Sequence, residues 1–495
     1  MIDNFIAGSV ALFGDPFTIG IFVFGVIGGM LFGAIPGVSM LTLAAILLPF
    51  TASLEPAQGV MLFAVIYCTG TYGGAITAIL FNIPGAPENA PTAFDGYPMT
   101  RKGQSGKAVG AAVLCSAIGG VTSAIVMMAA TEPLANWAIS NIGPPEIFAL
   151  VFFGLAVASS VGGRTLWKGW MSVLLGLLIA TIGQDPVGGI NRYNFGFSDL
   201  AAGIAFVPAI LGFFAVSEIF VQAEKKAIGM YEAPKLSLDF PTILELWTHK
   251  IAVVRSILVG FFCGILPGIG ATLAAFMGYG EAVRWSKNKE SFGKGNLEGV
   301  ISSETANNAA TGAAMIPLLA LGLPGGALTA MMVAVFQMHD LEPGPLVFYN
   351  SPDLIWIVFA AMFYANVSIL FIGLLETKTI LYLLKIPFQF LAPMILLLAS
   401  IGSYIGRGLV LDVMVMFISG IMGFLLRRSG YSIPGIVLGI ILGKIGEQNF
   451  AQGMQMVHYD LLEYLSRPIC LLLIVAGSLT LLAGIYKALS FSFKS

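Results

Sequence analysis

The sequence predicts an all-α integral membrane protein, an inverted-repeat polytopic helical bundle with two broken, re-entrant hairpins and discontinuous helices at Pro-Gly motifs. Three observations support this class. Hydrophobic residues make up 57% of the 495 residues and charged residues 10%, whereas soluble domains have about 45–50% apolar and about 25% charged residues. Apolar stretches long enough to cross a bilayer recur along the chain. Pro-Gly pairs interrupt them at matching places in the two halves.

The Pro-Gly breaks form two pairs. Pro36-Gly37 in the first half matches Pro267-Gly268 in the second, and Pro84-Gly85 matches Pro324-Gly325. Proline removes a helical hydrogen bond and glycine permits unusual backbone angles. In lipid, such a break is tolerated only where protein or a water-filled cavity surrounds it. Breaks at corresponding positions of two halves therefore indicate the substrate site of a transporter.

Apolar runs define the expected spans, and loop charge defines their direction. Cytoplasmic loops are rich in Lys and Arg, and the alternation of basic loops predicts a periplasmic N-terminus and a cytoplasmic C-terminus. The first broken segment then starts and ends outside, and the second starts and ends inside. The expected segments are a broken 17–50, spans near 59–83, 108–131, 147–161, 169–183 and 200–223, a broken 251–280, and spans near 309–338, 354–375, 387–402, 408–426, 434–446 and 468–486.

This pattern divides the chain into four regions. Residues 1–223 form the first inverted repeat, with hairpin 17–50 and about five spans, and residues 224–250 form a cytoplasmic linker. Residues 251–446 form the second repeat, with hairpin 251–280 and about five spans. Residues 447–495 supply an extra span and a cytoplasmic tail. Inverted repeats let a midplane site face either side of a membrane; the alternative is a duplication retained only for packing.

The breaks predict an anion site. A helix interrupted at Pro-Gly exposes the amides of the following half-helix, and these amides together with the helix dipole favour an anion. Four such ends could hold several carboxylates without buried arginines. For a single Ser or Thr, helix packing is the competing interpretation. The candidate substrate-binding residues are Pro36, Gly37, Ser39, Asn82, Pro84, Gly85, Pro267, Gly268, Gly270, Thr272, Pro324, Gly325 and Gly326.

One polar cluster predicts a cation site. Its members fall on one helical face, at i, i+3, i+4 and i+7. A carboxylate with amide oxygens suits Na⁺ or a proton. The competing interpretation is a helix cap in a cytoplasmic loop, with Ser303 or Thr305 as the capping residue. The cluster comprises Glu304, Asn307, Asn308 and Thr311.

The sequence does not favour an enzyme. It contains neither a phosphate-binding G-x-x-x-x-G-K-[ST] loop nor an H-E-x-x-H motif. The four cysteines lie in apolar stretches and the three histidines lack ligand spacing, so we expect no cofactor and no metal centre. The expected energy source is an ion gradient, with Na⁺ or H⁺ as the coupling ion.

The sequence resembles the large membrane subunit (TctA-type) of the tripartite tricarboxylate transporters over nearly its whole length. Where that family commonly places small residues and Thr or Ser after Pro-Gly, this chain has Pro87-Glu88-Asn89. The stretches that carry the resemblance are Tyr72-Gly73-Gly74 through Asn82-Ile83-Pro84-Gly85, Ala93-Phe94-Asp95-Gly96-Tyr97-Pro98, Glu304-Thr305-Ala306-Asn307-Asn308, Leu323-Pro324-Gly325 and Leu341-Glu342-Pro343-Gly344-Pro345.

The resemblance implies a secondary active importer of small di- or tricarboxylates, usually citrate, in the bacterial inner membrane. It implies Na⁺ or H⁺ symport and two partners, a small TctB-type membrane subunit and a TctC-type periplasmic solute-binding protein. Hairpins that return to their starting side favour an elevator-type movement. The extra span 468–486 and segment 132–146 with Trp137 are candidates for scaffold or partner contacts. The alternatives are a passive anion channel, an exporter and, less favoured, an integral-membrane enzyme.

Overall fold

The computed structural model describes residues 1–35, 39–161, 165–185, 188–224, 240–266, 270–383 and 388–492. Four predicted site residues, Pro36, Gly37, Pro267 and Gly268, lie outside the described residues, as does most of the predicted linker. The described part is almost entirely helical, with one antiparallel pair of two-residue strands, β1 Gly183–Gln184 and β2 Asn191–Arg192. The structure therefore confirms the all-α class.

The helices follow in two series of similar order. The first series is α1 Ile2–Gly14, α2 Pro16–Ala34, α3 Met40–Leu47, α4 Pro56–Phe81, α5 Ala90–Arg101, α6 Ser105–Asn141, α7 Pro144–Val161, α8 Leu166–Ala180, α9 Phe206–Ile210 and α10 Ser217–Glu224. The second is α11 Ile243–Thr248, α12 Lys250–Ile265, α13 Gly270–Trp285, α14 Leu297–Leu321, α15 Ala327–Met338, α16 Val347–Asn350, α17 Pro352–Leu383, α18 Phe388–Ile405, α19 Val410–Arg428, α20 Ile433–Met456, α21 Leu461–Ser466 and α22 Pro468–Ser492. A π-helical segment, Leu211–Val216, joins α9 to α10.

Each expected hairpin is a pair of packed helices separated by a break. Helix α2 ends at Ala34 and packs against α3, and α12 ends at Ile265 and packs against α13. The partner helix also repeats, because α2 packs along α4 as α12 packs along α14. The two hairpins thus lie against two long central helices, one in each half.

The second breaks have the same backbone geometry in both halves. The residue after α4 is Asn82 (φ 58°) and the residue after α14 is Gly322 (φ 74°), both in the left-handed conformation that glycine and asparagine tolerate. The amide of Ile83 donates to Thr77 O at 3.3 Å and that of Leu323 to Pro317 O at 3.1 Å. In both halves this bond runs to a carbonyl six residues earlier and satisfies one of the last carbonyls of the helix.

The span expected over 309–338 is wrong in its bounds. Helix α14 begins at Leu297, twelve residues earlier than predicted, and a break separates it from α15. The polar cluster Ser302–Thr311 lowers local hydropathy, although every one of these side chains is buried. Apolar runs alone therefore located only the second half of α14.

The capping interpretation of the polar cluster is also wrong. Asn296 caps α14, since its side chain accepts from the amide of Glu298 at 2.9 Å. Ser303 and Thr305 lie within the helix and donate to carbonyls four residues earlier, at 2.8 and 2.7 Å. The cluster is therefore part of the buried helix and not of a loop.

Several other elements extend beyond the predicted spans. Helix α1 packs against α17. The predicted loop 85–107 contains a 3-10 turn, Pro87–Asn89, and helix α5. Helix α6 continues into the predicted loop 132–146, where Trp137 is exposed. Helix α22 packs against α7.

Six helical segments of the described residues are long and apolar enough to cross a membrane. Outward-facing side chains such as Leu178, Phe371 and Leu472 are 65–72% exposed, and extensive exposed apolar surface is typical of contact with a membrane or another protein. The six segments are Pro16–Ala34, Pro56–Phe81, Ser105–Asn141, Phe206–Glu224, Pro352–Leu375 and Val410–Arg428.

Candidate substrate and cation site

The centre of the candidate site is the carboxylate of Glu304, which α14 holds in a fully buried position. Thr92 of α5 donates its hydroxyl to Oε1 at 2.5 Å, and Ser116 of α6 donates to Oε2 at 2.9 Å. Asn307 Nδ2 lies 3.4 Å from Oε1. No ion pair among the described residues includes Glu304. A buried carboxylate held only by neutral donors favours a proton or a metal cation as its partner.

The other members of the predicted cluster adjoin this carboxylate. Asn308 Nδ2 donates to Asn307 Oδ1 at 2.8 Å and to Glu304 O at 3.0 Å, and Thr311 Oγ1 donates to Asn308 O at 2.8 Å. All four side chains are completely buried. Asn308 Oδ1 accepts no hydrogen bond within the described part of the chain. An unpaired amide oxygen beside a carboxylate is a suitable ligand for a hard cation.

The Pro84-Gly85 break lies against the end of α2. A Cβ atom added at Gly85 would lie 1.9 Å from Gly33 O and 2.7 Å from Gly74 Cα. The amide of Gly85 also donates to Gly74 O at 3.3 Å. Three backbones thus meet at contact distance, which only glycine permits. The Pro84-Gly85 break therefore sits on the end of α2, just before the Pro36-Gly37 break.

The Pro324-Gly325 break of the second half meets the start of α13, so that two helix N-termini lie together. A Cβ atom at Gly326 would lie 3.6 Å from Gly270 Cα. Gly270 is the first residue of α13, and Gly326 immediately precedes α15. The first amides of a helix have no intrahelical acceptor, and the helix dipole is positive there. Two converging N-termini are a ready site for an anion.

Contacts between the halves join these breaks to the carboxylate cluster. Thr272 of α13 places its hydroxyl 3.4 Å from Glu88 Oε2, and Asn307 Nδ2 lies 3.4 Å from Glu88 O. Tyr67 of α4 places its hydroxyl 4.0 Å from a Cβ atom at Gly326. The breaks of both halves and the Glu304 cluster therefore border one buried polar region.

The remaining described residues of the predicted substrate site lie at helix ends. Ser39 is the N-cap residue of α3, and its carbonyl accepts from the amide of Thr42 at 2.9 Å. Asn82 is exposed and ends α4. Pro324 and Gly325 are buried at the break before α15, whereas Pro84 is partly exposed.

Helix α5 is fixed to the start of α14 by Asp95, a completely buried carboxylate. Its Oδ1 accepts from the amides of Gly295 and Asn296, both at 2.8 Å, and its Oδ2 accepts from the Tyr279 hydroxyl at 2.9 Å. Thr92 lies one turn earlier on the same helix and therefore on a similar face. Asp95 thus holds the helix that supplies a donor to Glu304.

Sequence reasoning missed four residues of this region: Thr92, Ser116, Glu88 and Tyr67. Thr92 and Ser116 lie 212 and 188 residues from Glu304 in the chain, so local spacing gives no indication of the contact. Glu88 did carry a signal, because it is an acidic residue only three positions after a Pro-Gly break in apolar sequence.

Comparison with known proteins identifies relatives over most of the chain. Residues 19–438 match the family described as "Tripartite tricarboxylate transporter TctA family". An Agrobacterium vitis protein named "Uncharacterized 52.8 kDa protein in TAR-I ttuC' 3'region" is 35% identical over 460 residues, covering 92% of this chain and 90% of that protein. A second from the same organism, "Uncharacterized protein in TAR-II ttuC' 3'region", is 35% identical over 218 residues, covering 44% of this chain and 90% of its own length. No solved structure matches the chain.

Proposed function

The chain belongs to the tripartite tricarboxylate transporter TctA family, and on that premise we propose that it is a secondary active importer of small di- or tricarboxylates such as citrate. It works in the bacterial inner membrane, with its N-terminus in the periplasm and its C-terminus in the cytoplasm. A TctC-type periplasmic binding protein delivers the substrate, and a TctB-type small membrane subunit completes the complex.

The observation that carries this proposal is the meeting of the N-termini of α13 and α15, which border the same polar region as Glu304. The approach of Gly326 to Gly270 directs two sets of helix amides at one region. Amides and helix dipoles bind carboxylates without a buried guanidinium. The site follows the pattern of transporters whose broken helices bind anions at half-helix N-termini.

Glu304 supplies the coupling to a cation. Its buried carboxylate has hydroxyl and amide donors but no basic partner among the described residues. A Na⁺ ion or a proton there compensates the charge, with Asn307, Asn308 and Thr311 as neighbouring oxygen donors. Because the same polar region borders the anion site, binding of the cation and of the substrate favour each other electrostatically.

The packing supports an elevator-type movement. The two hairpins pack on α4 and α14, and these central helices pack on α17 and α6. A second set, α7, α8, α20 and α22, packs mainly within itself. In our proposal the first group carries the site and moves against the second. A movement of one body past another exposes a fixed site to either side in turn.

Reconstituted uptake tests the proposal. Radiolabelled citrate uptake is measured in proteoliposomes that contain the chain and its small membrane subunit, with the binding protein outside and a Na⁺ or pH gradient imposed or collapsed. We expect uptake that needs both the binding protein and one of the gradients. Uptake that ignores every gradient would indicate a passive anion channel, and loss of preloaded citrate without the binding protein would indicate an exporter.

A pair of matched variants distinguishes the loss of the buried carboxylate from the loss of any one carboxylate. Glu304→Gln removes the buried carboxylate, whereas Glu290→Gln removes an exposed one in the 3-10 turn Lys289–Ser291. We expect the first variant to lose gradient-driven uptake and the second to retain it.

A further inference from the structure

Glu88 is a further buried carboxylate, on the 3-10 turn that follows the Pro84-Gly85 break. It is 5% exposed, and its hydrogen-bond donors in the described structure are its own backbone amide and the Thr272 hydroxyl, which lies 3.4 Å from Oε2. No ion pair among the described residues includes it. The segments 36–38 and 267–269 contain only Pro, Gly, Val and Ile, so they supply no opposite charge either.

The surroundings of Glu88 make an uncompensated charge costly. The polar groups that approach Glu88 on the described helices are Tyr67 of α4, Thr272 of α13 and Asn307 of α14, and none of them is basic. Buried charges in proteins are paired or coordinate metals. A bare carboxylate at this place also repels a carboxylate substrate at the neighbouring helix N-termini.

The carboxylates of Glu88 and Glu304 differ in the hydrogen-bond donors that contact them. Both oxygens of Glu304 accept from short hydroxyl donors, whereas the side-chain donor to Glu88 is the Thr272 hydroxyl, at 3.4 Å. Asn307 contacts both residues, because its amide nitrogen is 3.4 Å from Glu304 Oε1 and 3.4 Å from the backbone carbonyl of Glu88. The two carboxylates therefore have separate side-chain donors.

We infer that Glu88 and the Thr272 hydroxyl bind a Na⁺ ion of their own, distinct from the cation at Glu304. Carboxylate and hydroxyl oxygens are the ligand type that hard cations prefer. Carbonyls at the ends of broken helices complete such sites in transporters, and the carbonyl of Gly33 at the end of α2 borders the same break. The ion joins the first half, through Glu88, to the second, through Thr272.

This site adds a second cation to the proposed function. Only its consequence for transport rests on that function. If Glu88 and Glu304 each bind one cation, two positive charges accompany each substrate. If the cation at Glu304 is also Na⁺, the Na⁺ dependence of uptake is steeper than first order. With either cation at Glu304, substrate affinity depends on the ion at Glu88 because this ion removes the repulsion.

Equilibrium binding of radioactive Na⁺ to the purified full-length chain in lipid nanodiscs tests the site without any substrate. We expect Glu88→Gln to bind one Na⁺ fewer per chain than the wild type. Thr272→Val keeps the charge but removes the hydroxyl, and we expect it to weaken binding of the same ion several-fold. Glu290→Gln, an exposed matched control, should bind as the wild type does.

Equal Na⁺ stoichiometry in Glu88→Gln and the wild type would overturn the inference, and so would a wild-type chain that binds no Na⁺. If Glu88→Gln does not fold, Thr272→Val decides, because unchanged Na⁺ affinity in that variant would exclude the site. Failure of citrate uptake would count against the proposed function alone, since the binding readout needs no citrate.

Discussion

Replacing Gly85 with alanine tests the contact between the Pro84-Gly85 break and the end of α2. The new Cβ atom would lie 1.9 Å from Gly33 O and 2.7 Å from Gly74 Cα, while ordinary contacts begin at 3.4 Å. The Gly85 and Gly33 backbones must therefore separate by about 1.5 Å, the difference between 3.4 and 1.9 Å. Both obstacles are backbone atoms, so no side-chain rotation relieves the clash.

Overpacking of this kind costs about 1–3 kcal/mol and occasionally more. Because two backbones must move, we expect Gly85→Ala to lower the free energy of unfolding by about 3 kcal/mol. The assay is reversible unfolding of the purified chain in mixed detergent and sodium dodecyl sulfate. Citrate binding should weaken in the same variant, because the displaced break borders the anion site.

Gly326→Ala is the matched control, since its Cβ atom meets nothing closer than Gly270 Cα at 3.6 Å. The first half already has Ala86 at the corresponding place after Pro-Gly. Gly326 has an extended backbone that alanine adopts, so we expect a gain of about 0.4–1 kcal/mol from the less flexible unfolded chain. Equal stabilities of the two variants would refute the close approach of Gly85 to Gly33.

Three further predictions concern carboxylates. Glu304→Gln keeps the size of the side chain but removes its charge, so the chain should fold while uptake in proteoliposomes loses its gradient dependence. Asp95→Asn replaces a hydrogen-bond acceptor with a donor, so the free energy of unfolding should fall by about 1–3 kcal/mol. Tyr279→Phe removes only one donor to Asp95, and the expected fall is about 1 kcal/mol. Lys107 beside Glu245 holds the pKa of that carboxyl below its ordinary 4.5. This ion pair therefore stabilises the fold above about pH 4.5 and is lost as the pH falls through the lowered pKa; a pH series of unfolding midpoints should show it in the wild type and not in Glu245→Gln.

Each of these three predictions has a result that would contradict it. Gradient-dependent uptake by Glu304→Gln would exclude that carboxylate as the coupling group. Wild-type stability of Asp95→Asn would mean that α5 is not held through this residue. A pH series in Glu245→Gln that equals that of the wild type, or a wild-type series that is insensitive to salt, would contradict a partly exposed ion pair, which salt screens.

The membrane class and the helix breaks could be predicted from the sequence because both depend on local features. Hydropathy marks long apolar helices such as α4, and Pro-Gly pairs mark their ends, as at Pro84-Gly85 and Pro324-Gly325. The helical face shared by Glu304, Asn307, Asn308 and Thr311 also follows from spacing alone. Each of these inferences needs only a few neighbouring residues.

Long-range contacts and buried polarity could not be predicted in this way. The start of α14 was missed because its first turns contain polar residues that are buried by α5 and α6 rather than exposed. The donors to Glu304 come from Thr92 and Ser116, on helices that are distant in sequence. The role proposed for Glu88 depends on its contact with Thr272, which only the structure shows.

The central claim is that one polar region couples a carboxylate at the broken helices to a cation at Glu304. The most direct test is calorimetric binding of citrate to the purified chain at increasing Na⁺ concentration, repeated across a pH series. We predict that citrate affinity rises with Na⁺ or with falling pH, that this dependence is weaker in Glu304→Gln, where only the ion at Glu88 remains, and that it is retained in full in Glu290→Gln. Citrate affinity that is the same at every Na⁺ concentration and pH, or equally dependent in Glu304→Gln, would contradict the account.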